Sequence, residues 1–239
     1  MAKPRATHSP VTLSIDIGGT GIKAMLLDRR GKPLSERERL LTPAISTPRA
    51  VLRVLDQLRE RLPGFDRVSV GFPGVIKHGV TTYQAVNLHP YWANFPLQRE
   101  LEKRWNKPVR VANDAAVQGY GATHGDGVEL VLTLGTGLGS SLFTDGHLCP
   151  GLELGQQHWR KNKSYEDLLG QCGLKRAGKK RWNKLLQAAI EETRLLFNWD
   201  HLYLGGGNAR LIDFKLPEGV TVVSNNSGIL GGVALWREG

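Results

Sequence analysis

Two segments of this chain share one pattern, and that repetition limits the folds available to it. Residues 13–24 and residues 130–141 each read as an alternating strand, a Gly-Thr-Gly turn and a second strand. A repeat at this long spacing predicts a duplicated α/β unit rather than a short-period solenoid. Each unit would span about 110–120 residues, which is close to the usual size of a domain. The cleft between two such units is where a ligand is expected to bind.

Hydrophobic periodicity predicts alternating strands and helices in both halves of the chain. Strands are predicted at 11–17, 22–28, 33–41, 68–72, 109–112, 128–134, 138–144, 201–204 and 220–223. Helices are predicted at 48–62, at 95–105, from 113 onward, at 176–199 and at 227–236. We therefore expect one domain over 1–113 and a second over 114–239, with the closing helix able to pack back on the first.

The positive charge of the chain is concentrated in one stretch. The sequence has 32 basic and 22 acidic residues, a net charge of +10, and residues 160–184 alone carry nine basic residues against two acidic ones. Such a cluster is either a solvated helix face or a track for a polyanion, such as nucleic acid, phospholipid or an inorganic phosphate chain. Charge alone favours the solvated face, and no nucleic-acid-binding motif accompanies the cluster.

Composition and cysteine use exclude several classes of protein. With 40% hydrophobic and 23% charged residues the chain is not of the disordered type. Cys149 and Cys172 have neither zinc-finger nor disulfide-framework spacing. The opening residues lack the apolar region of a signal peptide, and no run approaches the roughly 20 apolar residues of a membrane span. We expect a cytoplasmic protein with no membrane partner.

Each Gly-Thr-Gly turn has the composition of a phosphate-binding loop. Glycine has no Cβ, so its backbone N–H can approach a phosphate oxygen, and threonine adds a hydroxyl donor. Two such turns facing one cleft could clamp a phosphate chain, whereas each alone is also an ordinary tight turn. The Walker pattern is absent, and a strand rather than a helix follows each turn, unlike the Rossmann fingerprint. The candidate phosphate-binding residues are Gly18, Gly19, Thr20, Gly21, Gly135, Thr136 and Gly137.

Two charged residues flank the first turn. Asp16 stands just before it, where a carboxylate could hold Mg²⁺ through water or could bond its own turn. Lys23 follows the turn, where it could neutralise phosphate charge or be an ordinary lysine on a strand. Both residues are therefore candidates for the phosphate side of the site.

Five motifs occur in the order seen in the ROK-type sugar kinases of the actin-like ATPase superfamily. They are DIGGTGIK at 16–23, ND at 113–114, LGTGLG at 134–139, ELG at 153–155 and LGGG at 204–207. The chain resembles this family from about residue 12 to residue 236, and within it most resembles the bacterial polyphosphate glucokinases. The resemblance implies an α/β fold of two ribonuclease-H-like lobes with a central cleft.

The resemblance also implies roles for residues on the sugar side of that cleft. Asp114 matches the general base that takes the proton of the sugar 6-hydroxyl, although the Asn-Asp pair is also a helix cap with an acidic first turn. The sugar-binding residues that the family implies are Asn87, Asn113, Glu153 and Glu166. Glu166 can equally be a helix N-terminal acid beside a capping serine.

One position departs from the family pattern. Gln156 stands where the family has a histidine, and the cysteines that complete a zinc site in some relatives are absent, so no zinc is expected. Gln156 can still donate a hydrogen bond to a sugar hydroxyl, but it cannot titrate as histidine does. His158 could fill the role by a local shift or could be a surface residue.

The donor side of the cleft is implied by two further glycine-rich segments and by the basic stretch. Residues 228–232 and the turn Gly205, Gly206 and Gly207 resemble the nucleotide-side loops of the family. A polyphosphate chain carries about one negative charge per unit and would favour a positive track. Lys179, Lys180 and Arg181 are the candidate residues of that track.

The function that the resemblance implies is a polyphosphate-dependent glucokinase. It would transfer a phosphoryl group from polyphosphate to the 6-hydroxyl of glucose with Mg²⁺ as cofactor, as a homodimer and without nucleic acid, and use of ATP as a donor is left open. The alternatives are an ATP-dependent hexokinase for glucose, mannose or an amino sugar, and a non-catalytic sugar- or polyanion-binding protein.

Overall fold

The computed structural model describes residues 9–82, 88–149, 151–223 and 227–237. The strands of the first half are β1 (Thr12–Ile17), β2 (Gly21–Leu27), β3 (Glu38–Leu41), β4 (Arg67–Phe72), β5 (Ile76–Lys77), β6 (Val80–Thr81) and β7 (Val109–Asn113). The helices of this half are α1 (Pro48–Glu60) and α2 (Leu97–Trp105). A five-stranded sheet runs in the order β3-β2-β1-β4-β7. In that sheet β1, β2 and β3 pair antiparallel, whereas β1, β4 and β7 are parallel.

The second half repeats the same topology. Its strands are β8 (Val128–Leu134), β9 (Leu138–Thr144), β10 (His147–Cys149), β11 (His158–Arg160), β12 (Lys163–Ser164), β13 (His201–Gly205) and β14 (Val220–Val222). Its five-stranded sheet runs in the order β10-β9-β8-β13-β14, so each sheet places its first strand in the centre with two antiparallel strands on one side and two parallel strands on the other. The predicted duplication and the two-lobed α/β fold are confirmed.

The helices of the second half are α3 (Asp114–Tyr120), α4 (Tyr165–Leu169), α5 (Gln171–Ala177), α6 (Lys179–Phe197) and α7 (Ser227–Leu230). The prediction of one helix over 176–199 is wrong, because Gly178 has a φ of +73° and separates α5 from α6. A positive φ is readily adopted only by glycine and ends a right-handed helix. The chain therefore turns at Gly178 within the basic stretch.

The end of the chain returns to the first sheet. The hydroxyls of Ser14 and Ser69 donate to the carbonyls of Ile229 and Gly232, each at 2.6 Å. The indole of Trp236 donates to the Ser69 hydroxyl at 2.8 Å. The predicted helix over 227–236 begins as α7 and continues as a 3-10 helix over residues 231–236, whose glycines pack against α3 and β1 where a Cβ would not fit.

Helix α3 lies between the two sheets and directly follows β7. It contacts β4 and β7 of the first sheet and β8 and β9 of the second. Gly119 of this helix lets the ring of Phe143 approach closely, since a Cβ at Gly119 would overlap it. The first turn of α3 is therefore held in the cleft between the lobes.

Candidate active site

Asp114 is fixed at the start of α3 by the residue before it. The side-chain oxygen of Asn113 accepts hydrogen bonds from the backbone N–H groups of Ala115 and Ala116, at 2.9 and 3.3 Å. The amide of Asn113 donates to the carbonyl of Gly74 at 3.2 Å, which ties the cap to the loop after β4. The Asn-Asp pair is thus a true helix cap, and the cap aims the following carboxylate into the cleft.

Other carboxylates surround Asp114 on the cleft side. Burial, followed by the negative charge of Asp16 and of Glu153, raises the pKa of Asp114 to about 7, against the lowering effect of the backbone N–H of Ala115. A carboxyl group whose pKa lies near neutral pH can accept a proton and release it again under working conditions. Asp114 therefore has the chemistry of a general base.

Glu153 and Glu166 extend this group of carboxylates into the second lobe. Desolvation and the charge of Glu166 raise the pKa of Glu153. Glu166 accepts a hydrogen bond from the backbone N–H of Leu138 at 3.1 Å and lies against Gly137, where a Cβ would collide with it. The capping box of α4 uses Asp167 rather than Glu166. Glu166 is therefore free of the capping role and faces the second Gly-Thr-Gly turn.

A cavity of about 200 Å³ opens between the lobes; Glu153 lies in its wall, whereas Asp114 and Glu166 are not among the described lining residues. Its wall combines polar groups with apolar side chains and includes Val75, Asn113, Ser140, Leu152 and Glu153. A small cavity with a few convergent polar groups suits a small polar ligand. It brings together two of the predicted sugar-binding residues, Asn113 and Glu153, while the predicted Asn87 lies outside the described residues.

Gln156 and His158 are both exposed and lie beyond this wall. Gln156 ends a 3-10 turn that begins after Glu153, and His158 starts β11. Neither contributes to the described lining of the cavity. The prediction that Gln156 binds the sugar rests on the resemblance alone.

The two Gly-Thr-Gly turns are closed in the same way. The backbone N–H of Gly18 donates to the carbonyl of Gly21, and that of Gly135 donates to the carbonyl of Gly137, each at 3.1 Å. Gly19, Thr20 and Thr136 are exposed at the tips. The N–H groups and threonine hydroxyls at the tips are thus accessible to an anion.

Lys23 reaches back to the strand before the first turn. Its ammonium group pairs with Oδ2 of Asp16 at 2.7 Å, and the two residues face each other across β1 and β2. The positive charge of Lys23 is therefore engaged by Asp16. The second oxygen of Asp16 remains as an acceptor, and one or two carboxylates together with water and phosphate oxygens are what Mg²⁺ usually takes. The residues present fit a magnesium ion at Asp16.

The glycine turn after β13 supports the second tip. Gly206 has a φ of +85°, and its Cα packs against the backbone of Leu134. Asn208 follows it, with its N–H donating to the carbonyl of Leu134 at 2.9 Å and its side-chain amide donating to that of Gly135 at 3.1 Å. No sequence motif singles out Asn208, because its role arises from a contact between distant strands.

The α5–α6 part of the basic stretch begins beside the second tip and then passes the segment that follows β13. The N–H of Gln171 at the start of α5 donates to the carbonyl of Thr136 at 3.1 Å. Near the start of α6, Asn183 donates to the carbonyl of Leu211 at 3.1 Å, and Lys179 pairs with Asp213 at 3.5 Å. Lys180 and Arg181 are exposed in the same turn of α6.

The final glycine segment packs closely against the rest of the protein. Gly231 and Gly232 are buried and contact Val117 and Ser14, so they allow the end of the chain to pack on α3 and β1. The role of residues 228–232 at the donor channel stays a prediction. So does the donor-side role of Gly205, Gly206 and Gly207, of which Gly206 packs against Leu134 at the start of the second tip.

This fold and site define a class of protein. Two equivalent α/β lobes, each with a glycine-rich hairpin turn, meet at a cleft that holds a half-buried carboxylate, as in the phosphotransferases of the actin-like superfamily. Residues 12–175 match the family model described as the ROK family, and the chain belongs to the ROK family.

Known relatives agree with this assignment. The polyphosphate glucokinase of Mycobacterium tuberculosis (strain ATCC 25177 / H37Ra) is 28% identical over 246 residues, covering 95% of this chain and 92% of that protein. The N-acetylmannosamine kinase of Escherichia coli (strain SE11) is 36% identical over 147 residues, covering 59% of this chain and 50% of that protein. The solved inorganic polyphosphate/ATP-glucomannokinase of Arthrobacter sp. strain KM superposes with a TM-score of 0.87 at 31% identity, covering 96% of this chain and all of that one.

The protein is accordingly a ROK sugar kinase, a phosphotransferase that uses an alcohol group as acceptor. It requires a phosphoryl donor. Within the described ranges, no helix is both long and apolar enough to cross a membrane.

Proposed function

We propose that this sugar kinase transfers the terminal phosphoryl group of inorganic polyphosphate to the 6-hydroxyl of glucose, with ATP as a second donor. The observation that carries the proposal is Asp114, which Asn113 caps at the start of α3 and whose pKa is raised to about 7 by burial and by the charges of Asp16 and Glu153. The names of the relatives from M. tuberculosis and Arthrobacter support the choice of donor.

In the proposed reaction Asp114 accepts the proton of the 6-hydroxyl as its oxygen attacks the terminal phosphorus. The bond between that phosphorus and the bridging oxygen breaks, and the leaving chain is shorter by one phosphate. A carboxylate placed against a hydroxyl also orients it for in-line attack. The other hydroxyls of the sugar would form hydrogen bonds with Asn113, Glu153 and Glu166. Carboxylates suit this role because each of their oxygens can accept a hydrogen bond from a hydroxyl.

The donor phosphates would lie on the two glycine turns. The exposed N–H groups of both tips would bind phosphate oxygens, and Asp16 would hold Mg²⁺ through its free oxygen. When bound, the ion would neutralise charge on the phosphates. Closure of the lobes would exclude water, which otherwise competes as the acceptor.

The basic stretch supports polyphosphate rather than ATP as the preferred donor. Its α5–α6 part starts at the carbonyl of Thr136 in the second tip and passes Asp213, in the segment that follows β13. A chain that leaves the tip could therefore follow the exposed Lys179, Lys180 and Arg181. ATP carries only three phosphates, so positive charges farther along this path would contribute less to its binding than to that of a long polyphosphate chain.

Loss of the positive charges at Lys179, Lys180 and Arg181 should weaken the binding of polyphosphate more than that of ATP. We expect the combined change of Lys179, Lys180 and Arg181 to glutamine to raise KM for long-chain polyphosphate about tenfold at low salt, with KM for ATP changed less than twofold. Steady-state rates with both donors at several salt concentrations measure this. Glutamine at Arg29, Arg30 and Lys32 removes the same charge at a hairpin turn of the first lobe and controls for net charge. Equal loss with both donors would contradict the track.

The proposed base predicts a pH dependence. Because the pKa of Asp114 is raised to about 7 and the base must be unprotonated, kcat/KM for glucose should fall about tenfold per pH unit below pH 7. Rates at saturating donor between pH 5 and pH 9 measure it, and they should be taken with both polyphosphate and ATP because the donors also titrate. A rate that stays level down to pH 5 with either donor would contradict the assignment.

The second candidate function is an ATP-dependent kinase of an amino sugar. The 36% identity to the N-acetylmannosamine kinase over part of the chain favours it. A panel of glucose, mannose and N-acetylmannosamine, each with ATP and with nucleotide-free polyphosphate, distinguishes the two. Turnover of the amino sugar with ATP alone would replace the proposal. A homodimer and a cytoplasmic location remain predictions, which light scattering and cell fractionation test.

A further inference from the structure

A row of three charged residues crosses the first sheet beside the first Gly-Thr-Gly turn. Asp16 on β1 faces Lys23 on β2, and Lys23 faces Arg39 on β3 in the strand register. Directly paired residues of neighbouring strands project from the same face of a sheet. The row therefore runs from the carboxylate that acts on Asp114 outward to the edge strand.

The guanidinium group of Arg39 lies over the last glycine of the turn. A Cβ placed on Gly21 would be 2.7 Å from Nε, 2.8 Å from Nη2 and 3.0 Å from Cζ of Arg39. These distances mean that Arg39 occupies the space that a side chain at this position would need. The glycine thus brings a flat, multiply donating cation to the tip itself.

The charge of Arg39 is not used elsewhere in the described part of the chain. Lys23 is paired with Asp16 at 2.7 Å. Glu38, which precedes Arg39 on β3, pairs with Arg61 just after α1, at 3.4 Å. Arg39 is exposed, and no hydrogen bond or ion pair to it is found among the described residues. An exposed arginine with no acidic partner is open to an anionic ligand.

We infer that Arg39 binds a phosphate group of the phosphoryl donor at the first tip. The inference rests on the proposed function for its donor, and it adds a residue from a strand that carries none of the motifs. A guanidinium group offers parallel N–H donors that match two phosphate oxygens. Lys23 and Arg39 then have different roles, since Lys23 pairs with Asp16 while Arg39 binds the phosphoryl donor.

Substitution of Arg39 should weaken binding of the phosphoryl donor and leave binding of the sugar unchanged. We expect Arg39→Gln to raise KM for polyphosphate and for ATP at least tenfold, with KM for glucose changed less than twofold. Arg39→Lys should recover only part of the loss, because an ammonium group lacks the paired donors. Arg30→Gln is the matched control, since it removes the same charge from the turn at the other end of β2. Equal thermal midpoints for all variants would show that the fold is kept.

A binding measurement separates this inference from the proposed function. Tripolyphosphate is titrated into wild type, Arg39→Gln and Arg30→Gln by calorimetry without sugar. Tenfold weaker binding in Arg39→Gln alone supports Arg39 even if wild type phosphorylates no glucose, which would overturn only the proposed function. Equal affinity of Arg39→Gln and wild type, or equal loss in both variants, overturns the role of Arg39 whatever the activity.

Discussion

Asp114→Asn should lower kcat by about 10³-fold or more while glucose still binds. The amide keeps the size of the side chain but cannot accept the proton of the hydroxyl, and a positioned general base contributes about 10²–10⁴-fold. Single-turnover rates and calorimetric binding of glucose separate the two effects. Asp126→Asn, which changes an exposed carboxylate in the loop after α3, is the control. A kcat of Asp114→Asn within tenfold of the wild-type value would show that Asp114 is not the general base.

The same substitution should stabilise the fold at alkaline pH. The pKa of Asp114 is raised from 3.8 to about 7 in the folded protein, so the folded state binds the proton more tightly than the unfolded state does. Stability should therefore decrease as pH rises through this window. Asp114→Asn removes that cost, and its thermal midpoint should exceed that of wild type at pH 8 but not at pH 4. A lower midpoint at pH 8 would show that the carboxylate stabilises the fold instead.

Gly206→Ala should destabilise the protein and weaken binding of the phosphoryl donor, whereas Gly207→Ala should change neither stability nor donor KM appreciably. Gly206 has a φ of +85° and packs on the backbone of Leu134, so alanine is both strained and obstructed there. Backbone strain of this kind costs about 1–3 kcal/mol, before the collision with Leu134 is added. Because Asn208 in the same turn holds the carbonyl of Gly135, the second tip should shift and KM for the donor should rise more than tenfold.

Gly207 supplies a matched control for that prediction. Its φ is not positive, and among the described residues no atom lies within 4 Å of the place a Cβ would take. Denaturation midpoints and donor KM values for the two variants test the comparison. Equal effects at both positions would mean that the turn does not support the second tip.

The sequence was sufficient for features that are decided by neighbouring residues. Alternating apolar residues on either side of each Gly-Thr-Gly turn predicted β1, β2, β8 and β9 closely, because such hairpins are local. The cap at Asn113 followed from its position between a strand and a helix, and it placed Asp114 correctly at the start of α3.

Features that depend on contacts between distant segments could not be predicted in this way. The break at Gly178 falls inside a continuous helical pattern, and the two helices that it separates both pack on α4. The row from Asp16 to Arg39 depends on the register of β3, which the sequence predicted as a longer segment from residue 33. The closeness of Asp16 and Glu153 to Asp114 joins three separate parts of the chain.

Formation of glucose 6-phosphate by the purified protein from glucose, Mg²⁺ and nucleotide-free polyphosphate is the most direct test of the proposed function. A parallel reaction contains ATP at matched phosphate, and both are repeated with Asp114→Asn. We expect product from polyphosphate with wild type and a loss of about 10³-fold or more with the variant. Product from ATP alone, or undiminished product with Asp114→Asn, would contradict the account.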